Sequence, residues 1–216
     1  MTQTTDEFTP LSADFFRQDA LTVARALVGT HLVREMPSSD GRLVGRVVET
    51  EAYTQDDPAF HGWGLYDEET DQLKREGRGY ELFGAPGTGY VYLCYGIHWL
   101  LNVVTDPEGT GGAALIRAVE PLQGEDAMRE RRGQTGAALT NGPGKLTDAF
   151  GVDDAFHGAM LTGPPLFFAR PEAKPDLDIA TSSRIGITKA TERPWRFLLE
   201  GNRYVSRGTP SDQKDR

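Results

Sequence analysis

The amino-acid sequence predicts an α+β fold, a single mixed domain with a curved antiparallel β core, surrounding helices and a protruding β-hairpin. Its 216 residues fit one domain of ordinary size, long enough to bury a hydrophobic core. Short apolar runs that favour strands, separated by turn residues, outnumber the stretches that favour helices. Two of these runs flank Tyr95 and Gly96, which places that pair near a hairpin tip.

The chain is expected to begin with a flexible arm and a helix. Residues 1–11 are polar and show no periodicity. From Ser12 or Asp14, either of which can cap a helix, the pattern is helical as far as Val28, and Gly29 ends it. The apolar stripe of this helix consists of Leu21, Ala24, Leu27 and Val28.

The later apolar runs predict strands and a short helix. The strands are His31–Met36, Arg42–Tyr53, Tyr90–Cys94, Trp99–Val104, Ala113–Ala118, Leu161–Ala169, Ile185–Ile187 and Arg196–Leu199. A turn is expected at 38–41, a helix around Glu125–Arg132, and an irregular segment over 56–80. Residues 208–216 are predicted to form a flexible tail, which leaves 12–207 as the folded domain.

Composition excludes several classes of protein. No apolar run approaches the roughly 18 residues that cross a bilayer, and the first residues lack the basic and apolar regions of a signal peptide. We therefore expect an intracellular protein that is not secreted and has no membrane partner. Cys94 is the only cysteine, and the four histidines are scattered, so neither a disulfide nor a metal is predicted. No cofactor motif is present, and no cofactor is expected.

Residues 47–53 place acids beside an aromatic residue on one strand. Glu49, Glu51 and Tyr53 share a face, because successive side chains of a strand alternate. Burying an unpaired carboxylate is costly, so acids among apolar neighbours tend to lie at a rim or in a pocket. On this segment alone, ordinary surface acids on a partly exposed strand are the better interpretation.

The segment Gly142-Pro143-Gly144-Lys145 precedes a predicted helix. Free N–H groups at a helix start bind phosphate oxygens, whereas a plain loop-to-helix connection has equal weight. Leu146 follows Lys145 where a nucleotide-binding loop needs Ser or Thr, which disfavours a nucleoside-triphosphate site.

Longer stretches of the chain resemble one family. The blocks, in order, are VETEAY at 48–53, His61, GAPGTGYVYLCYGIHWLLNVVT at 84–105, LIRAVEPLQG at 115–124, NGPGKL at 141–146, ARPEAK to RIGITKA at 169–190, and RPWRFLLEGNRYVS at 193–206. Together they are similar to the alkyladenine (3-methyladenine) DNA glycosylase family, whose members excise damaged purines. Several blocks in the family's order are a far more specific signal than any one of them.

The resemblance implies a role for each matching residue. Glu51 corresponds to the base that activates water, Arg117 and the backbone carbonyl of Ile185 help to hold that water, and no lysine matches a catalytic position. The damaged-base pocket corresponds to Tyr53, His61, Tyr92 and Asn102. Tyr95 corresponds to the side chain that fills the vacated base stack, with Ile97 and His98 in the minor groove. Lys145, Arg184 and Gly186 correspond to contacts with the DNA backbone.

The resemblance also implies a partner and a compartment. The expected partner is damaged double-stranded DNA, which the protein binds as a monomer. The product, an abasic site, is then expected to be processed by abasic-site repair enzymes. The compartment is then the cytoplasm, with nucleoid association, or the nucleus, depending on the source. The net charge of −9 opposes DNA binding, although residues 184–207 are net positive. A DNA face with an acidic back and a plain acidic globule with a basic edge fit this pattern equally well.

Other interpretations stay open at this point. Tyr95 can belong to a small hairpin core, His61 to the surface, and Asn102 can bond only to backbone. The whole protein can be a damaged-DNA-binding protein without turnover, or a nucleoside or carbohydrate glycosidase. Residues 62–82 are longer and more acidic than the family's usual segment, which leaves the local DNA contacts and the preferred lesion open.

Overall fold

The computed structural model describes residues 8–37, 41–172 and 176–213. The α-helices are Ala13–Phe16 (α1), Ala20–Leu27 (α2), Glu125–Arg132 (α3) and Pro143–Phe150 (α4). The strands are His31–Glu35 (β1), Arg42–Thr54 (β2), Tyr66–Asp67 (β3), Gln72–Leu73 (β4), Gly89–Cys94 (β5), His98–Val104 (β6), Gly112–Gln123 (β7), Thr162–Gly163 (β8), Leu166–Ala169 (β9), Ile179–Ser182 (β10) and Arg196–Leu199 (β11). Short 3₁₀ helices span Arg78–Phe83, Gly136–Leu139, Asp154–Phe156 and Ser211–Gln213.

Nine of the strands in the described ranges form one curled antiparallel sheet. Its main path runs β5-β6-β7-β2-β1-β9-β8, and the β10–β11 pair joins at β2. The α+β prediction is therefore confirmed. β2 is the central strand, because its first half pairs with β1, its second half with β11, and nearly all of it with β7.

The helices cover one side of this sheet through apolar contacts and a few buried hydrogen bonds. Thr50 Oγ1 on β2 donates to the Ala24 carbonyl of α2 at 2.7 Å, and Thr147 Oγ1 on α4 donates to the Trp99 carbonyl at 2.7 Å. Both bonds lie beside the main hydrophobic cluster. They hold the helices to the sheet and satisfy carbonyl groups that are surrounded by apolar side chains.

The first helix differs from its prediction. The run that we expected to be one helix is broken before Ala20, because the Asp19 side chain accepts the N–H of Thr22 at 3.0 Å and starts a second helix. Leu11 is 1% exposed, and its N–H donates to the Phe168 carbonyl. The end of the predicted arm is thus packed, while residues 1–7 lie outside the described ranges.

One further prediction was wrong in the C-terminal part. Residues 185–187 form no strand, because the Ile185 N–H donates to a side-chain carboxylate and Gly186 has a φ of 82°. Ser211 is 5% exposed, and its backbone N–H donates to the Arg184 carbonyl at 2.8 Å. The tail is therefore held to the domain at Ser211. Of the predicted turn at 38–41, only Gly41 falls within the described residues.

Candidate active site

Glu51 lies on β2 beneath the floor of a large cleft. Its side chain has no exposed surface. One carboxylate oxygen accepts the Ile185 N–H at 2.7 Å and lies 3.2 Å from Nη1 of Arg117. The other accepts the Tyr53 hydroxyl at 2.8 Å. Tyr53, Arg117 and Ile185 all line the cleft, so Glu51 is separated from it by its own three donors.

Glu49 has a different set of partners, although it is equally buried. Its Oε1 accepts Nε of Arg117 at 2.8 Å and Nε of Arg196 at 2.7 Å, and Ser206 donates through both its N–H and its hydroxyl. Burial opposes the charged form, but the two guanidinium groups and the Ser206 N–H outweigh it and lower the pKa of Glu49. Glu49 is therefore a permanent buried carboxylate.

Arg117 on β7 links the two acids. Burial disfavours its charge, yet the carboxylates of Glu51 and Glu49 raise the pKa of this guanidinium above its ordinary value. Tyr53 also stays protonated, because burial and the neighbouring Glu51 carboxylate raise its pKa well above the ordinary value. The site thus holds two carboxylates, one fixed cation and one phenol that donates.

The cleft has a volume of about 1360 Å³, which is ample for a nucleotide. Beside Tyr53 and Arg117 it is lined by the remaining predicted pocket residues, the hairpin tip, the start of α4 and the loop 185–189.

Aromatic rings form one wall of this cleft. The rings of His61 and Tyr92 meet edge to face with centroids 4.5 Å apart, and His61 Nδ1 lies 3.2 Å from the Tyr90 hydroxyl. Burial, and then the charge of Arg78, lower the pKa of His61, which keeps the ring neutral at pH 7. Asn102 is 6% exposed and donates its amide to the Tyr90 carbonyl at 3.1 Å. Both residues therefore line the cleft, Asn102 as a buried residue and His61 as an exposed one.

The β5–β6 hairpin carries Tyr95 at its tip. The Ile97 N–H donates to the Cys94 carbonyl at 3.0 Å, and the two residues between them have φ values of 51° and 71°. This is the geometry of a type I′ turn, in which a tyrosine at positive φ is uncommon. Tyr95 is 90% exposed and Ile97 71% exposed, so neither belongs to a hairpin core. His98 is exposed and pairs with Cys94 beside the turn.

The predicted backbone-contact residues lie in three different environments. Lys145 is exposed on the first turn of α4, where Nζ donates to the Asn141 side chain at 2.8 Å. Gly186 is exposed in the loop beside the cleft. Arg184 is fully buried, and its guanidinium is paired with Asp57, so its side chain has no surface to offer a phosphate.

The sequence analysis missed several residues of the site. Asp57 binds Arg184, while Arg196 and Ser206 bind Glu49. Trp195 lies against the Arg184 guanidinium, with 5.2 Å between the guanidinium carbon and the ring centre. Asp57, Arg196 and Ser206 are far along the chain from the residues they bind, and none of these partners carries a local motif that indicates its role.

The atypical segment 62–82 packs beside the aromatic wall. Leu65, Tyr66 and Leu73 contact the cluster that contains Tyr90 and Phe83. Trp63 remains 50% exposed, and Nζ of Lys189 lies 4.9 Å from its ring centre. The segment therefore forms part of the rim of the cleft.

No group of three or more His, Cys, Asp and Glu side chains in the described ranges is arranged to hold a metal ion. Nor does any helix in those ranges combine the length and the apolar character that a membrane crossing requires.

Comparison with known proteins adds an independent line of evidence. Residues 14–203 match the family described as Methylpurine-DNA glycosylase (MPG). A protein of Salinibacter ruber named "Putative 3-methyladenine DNA glycosylase" is 56% identical over 204 residues, which cover 94% of this chain and 98% of the relative. Proteins with the same name from Chlorobium luteolum and Methanoculleus marisnigri are 45% and 43% identical, covering 94% and 91% of this chain and 100% and 98% of their own lengths.

Proposed function

This chain belongs to the methylpurine-DNA glycosylase family, and we propose that it excises alkylated or deaminated purines from duplex DNA by hydrolysing the N-glycosidic bond. The observation that carries the proposal is the placement of Glu51. It is a buried carboxylate held by Tyr53, Arg117 and Ile185, and all three of these residues line a cleft large enough for an extruded nucleotide.

Glu51 acts as the general base. Hydrolysis of an N-glycosidic bond passes through a sugar with oxocarbenium character, so one carboxylate serves by taking a proton from water and by facing the developing positive charge. Arg117 lies 3.2 Å from one oxygen of Glu51, and the Ile185 N–H fixes the orientation of its carboxylate, leaving the Ile185 carbonyl to help position the water. The enzyme is monofunctional, because the chemistry uses water and no lysine nucleophile.

The aromatic wall selects the base. Stacking on tyrosine contributes about 1 to 3 kcal/mol per base and is stronger for cationic rings such as 3-methyladenine. Tyr53 and Tyr92 supply the stacking surfaces, neutral His61 supplies a hydrogen bond at the edge, and Asn102 restricts the exocyclic groups that fit. The support for this assignment is that all four residues line one cleft.

A purine inside a duplex must first be turned out of the stack, which costs a few kcal/mol. Tyr95 fills the gap that remains, and Ile97 and His98 lie in the minor groove. Lys145, the N–H groups at the start of α4 and the backbone at Gly186 bind phosphates. The protein acts as a monomer on damaged double-stranded DNA and leaves an abasic site for downstream repair enzymes.

The test is base release from duplexes that contain 3-methyladenine, hypoxanthine, ethenoadenine or unmodified adenine. Wild-type protein is expected to release at least one damaged base and no normal adenine. Binding without release would make the protein a damage-binding protein. Release from free nucleosides but not from DNA would make it a nucleoside hydrolase.

The Glu51→Gln variant identifies the base. We expect it to bind the lesion but to release base at least about 100-fold more slowly, because the amide is nearly isosteric and cannot accept the proton of water. Binding by gel shift and release by chromatography measure the two steps separately. An active Glu51→Gln protein would reassign the base, with Glu49 the next candidate.

A further inference from the structure

The guanidinium of Arg184 lies over the ring of Tyr53. Its carbon is 4.6 Å from the centre of the tyrosine ring. Arg184 has no exposed surface, whereas Tyr53 lines the cleft. The ring therefore contacts both a buried cation and the base-binding cleft.

One carboxylate balances this cation. Asp57 is fully buried and accepts from both terminal nitrogens of the guanidinium, with Nη2 at 3.1 Å, and Nη1 also donates to the Ala52 carbonyl at 3.0 Å. A planar group that is held at these positions keeps its orientation against the ring. The ring centre of Trp195 lies 5.2 Å from the Arg184 guanidinium carbon and 4.5 Å from that of Arg193.

The chemistry of the ring makes this charge relevant to the base. Aromatic faces are negative and attract cations within about 6 Å of the centroid. A cation already on one face repels a second cation on the other, and the repulsion is strong where water is excluded. Alkylated purines such as 7-methylguanine are cationic, whereas hypoxanthine and ethenoadenine are neutral, so a charge over the Tyr53 ring acts on one class and not on the other.

We propose that the Arg184–Asp57 pair is a specificity-determining unit that sets the preference of Tyr53 between cationic and neutral purines. The inference rests on the proposed function. Both residues act through Tyr53 and neither touches the base, so both are positioning residues. With the pair intact, the carboxylate offsets most of the guanidinium charge. Removal of the carboxylate leaves a cation and favours neutral purines, whereas removal of the guanidinium leaves an anion and favours cationic purines.

The measurement is a ratio, the kcat/KM for 7-methylguanine divided by that for a neutral lesion that wild type releases, in otherwise identical duplexes. The fraction of folded enzyme cancels in this ratio, so a poorly folding variant still gives a result. Asp57→Asn leaves the cation uncompensated and is expected to lower the ratio about tenfold, the change that corresponds to one strong cation–π contact. Arg184→Gln leaves the anion and is expected to raise the ratio by about as much.

Two further variants keep the test decisive. Asp57→Asn combined with Arg184→Gln removes both charges and avoids a buried unpaired ion, so it folds where the single variants do not. Its ratio is expected to lie between those of the single variants and about two- to threefold above wild type, because the guanidinium stacks directly on the ring. Arg193→Gln makes the same charge change beside Trp195, and its ratio is expected to stay within about twofold of wild type.

The signs decide the outcome. The inference would be overturned if both single variants shifted the ratio in the same direction, or if the double variant had a ratio at or below that of wild type. A merely structural role would lower kcat/KM for both substrates together and leave the ratio unchanged. A wild-type protein that releases neither base would overturn the proposed function instead. A wild type that releases both bases, with variants that fail to shift the ratio, removes only the role of the Arg184–Asp57 pair.

Discussion

Glu49 and Glu51 lie two residues apart on β2, and their partners separate their roles. Neither acid lines the cleft, and Arg117 is the one Glu49 partner among Arg117, Arg196 and Ser206 that does. Glu51 is bound by Tyr53, Arg117 and Ile185, all of which line it. Under the proposed function, Glu49 holds the arginine in place and Glu51 is the base.

Replacement of Glu49 by Gln is expected to destabilise the fold by about 3 to 5 kcal/mol, because two buried guanidinium groups lose the carboxylate that they share. Denaturant unfolding measures the change. The matched control is Glu130→Gln, an exposed acid on α3 that should change stability by less than about 0.5 kcal/mol.

Glu49 is also expected to make the stability of the fold depend on pH. Arg117 and Arg196 overcome the effect of burial and lower the folded-state pKa of Glu49 below that of the unfolded chain. A lowered pKa contributes stability that is present above the unfolded value and is lost as pH falls through the folded value. Unfolding free energy should therefore decline in acid, and the Glu49→Gln protein should show a shallower decline. Equal slopes would contradict this.

His61 provides a second titration test. Burial is the larger cause of its lowered pKa and the positive charge of Arg78 the second. Arg78→Gln should therefore raise the His61 pKa part of the way toward its ordinary value, as followed by NMR of the imidazole protons. His31, whose pKa is lowered by burial and then by the charge of Arg46, serves as the internal reference. An unchanged His61 would remove Arg78 from this account.

At the scale of elements, the β5–β6 hairpin projects an aromatic side chain that the domain does not cover. A tyrosine at positive φ with 90% exposure is strained and unsupported by packing. Such a position is consistent with a residue retained for contact with a partner.

Tyr95→Ala is expected to slow base release from duplex DNA by about tenfold or more while leaving single-stranded substrate much less affected, because only the duplex must be held open. The loss should be greatest for lesions in stable pairs. Parallel single-turnover assays on the two substrates make the comparison. An equal loss on both would show that Tyr95 serves the pocket or the fold.

At the scale of the whole molecule, charge is the feature least typical of a DNA enzyme. A protein of net charge −9 binds phosphates through a narrow positive strip, and acids farther away than about 8 to 10 Å are screened at physiological salt. With Arg184 buried, that strip is narrower than the sequence indicates.

Lys145→Ala should weaken binding to damaged and undamaged DNA alike and make the slope of log affinity against log salt shallower by about one unit. Fluorescence anisotropy over a salt series measures it. Arg25, an exposed residue of α2 that does not line the cleft, provides the matched control as Arg25→Ala. A slope unchanged by Lys145→Ala would remove the start of α4 from the DNA surface.

The sequence by itself determined the antiparallel α+β fold, the family, and the residues that line the cleft, because strand alternation, turn chemistry and ordered blocks are local signals. Alternation alone put Glu49, Glu51 and Tyr53 on one side of β2. The start of α2 shows the limit of such signals, since a single capping side chain divided one predicted helix in two.

Only the tertiary structure decided which partners each acid has and where Arg184 lies. These outcomes depend on partners far apart in the chain, such as Asp57 for Arg184 and Ser206 for Glu49. A basic residue in a basic stretch indicates a surface cation, but a buried carboxylate of opposite charge can hold it inside. The sequence gives the charged residues but not their ion pairs. The physical reason is that pairing depends on distances between side chains, which are set only when the strands come together.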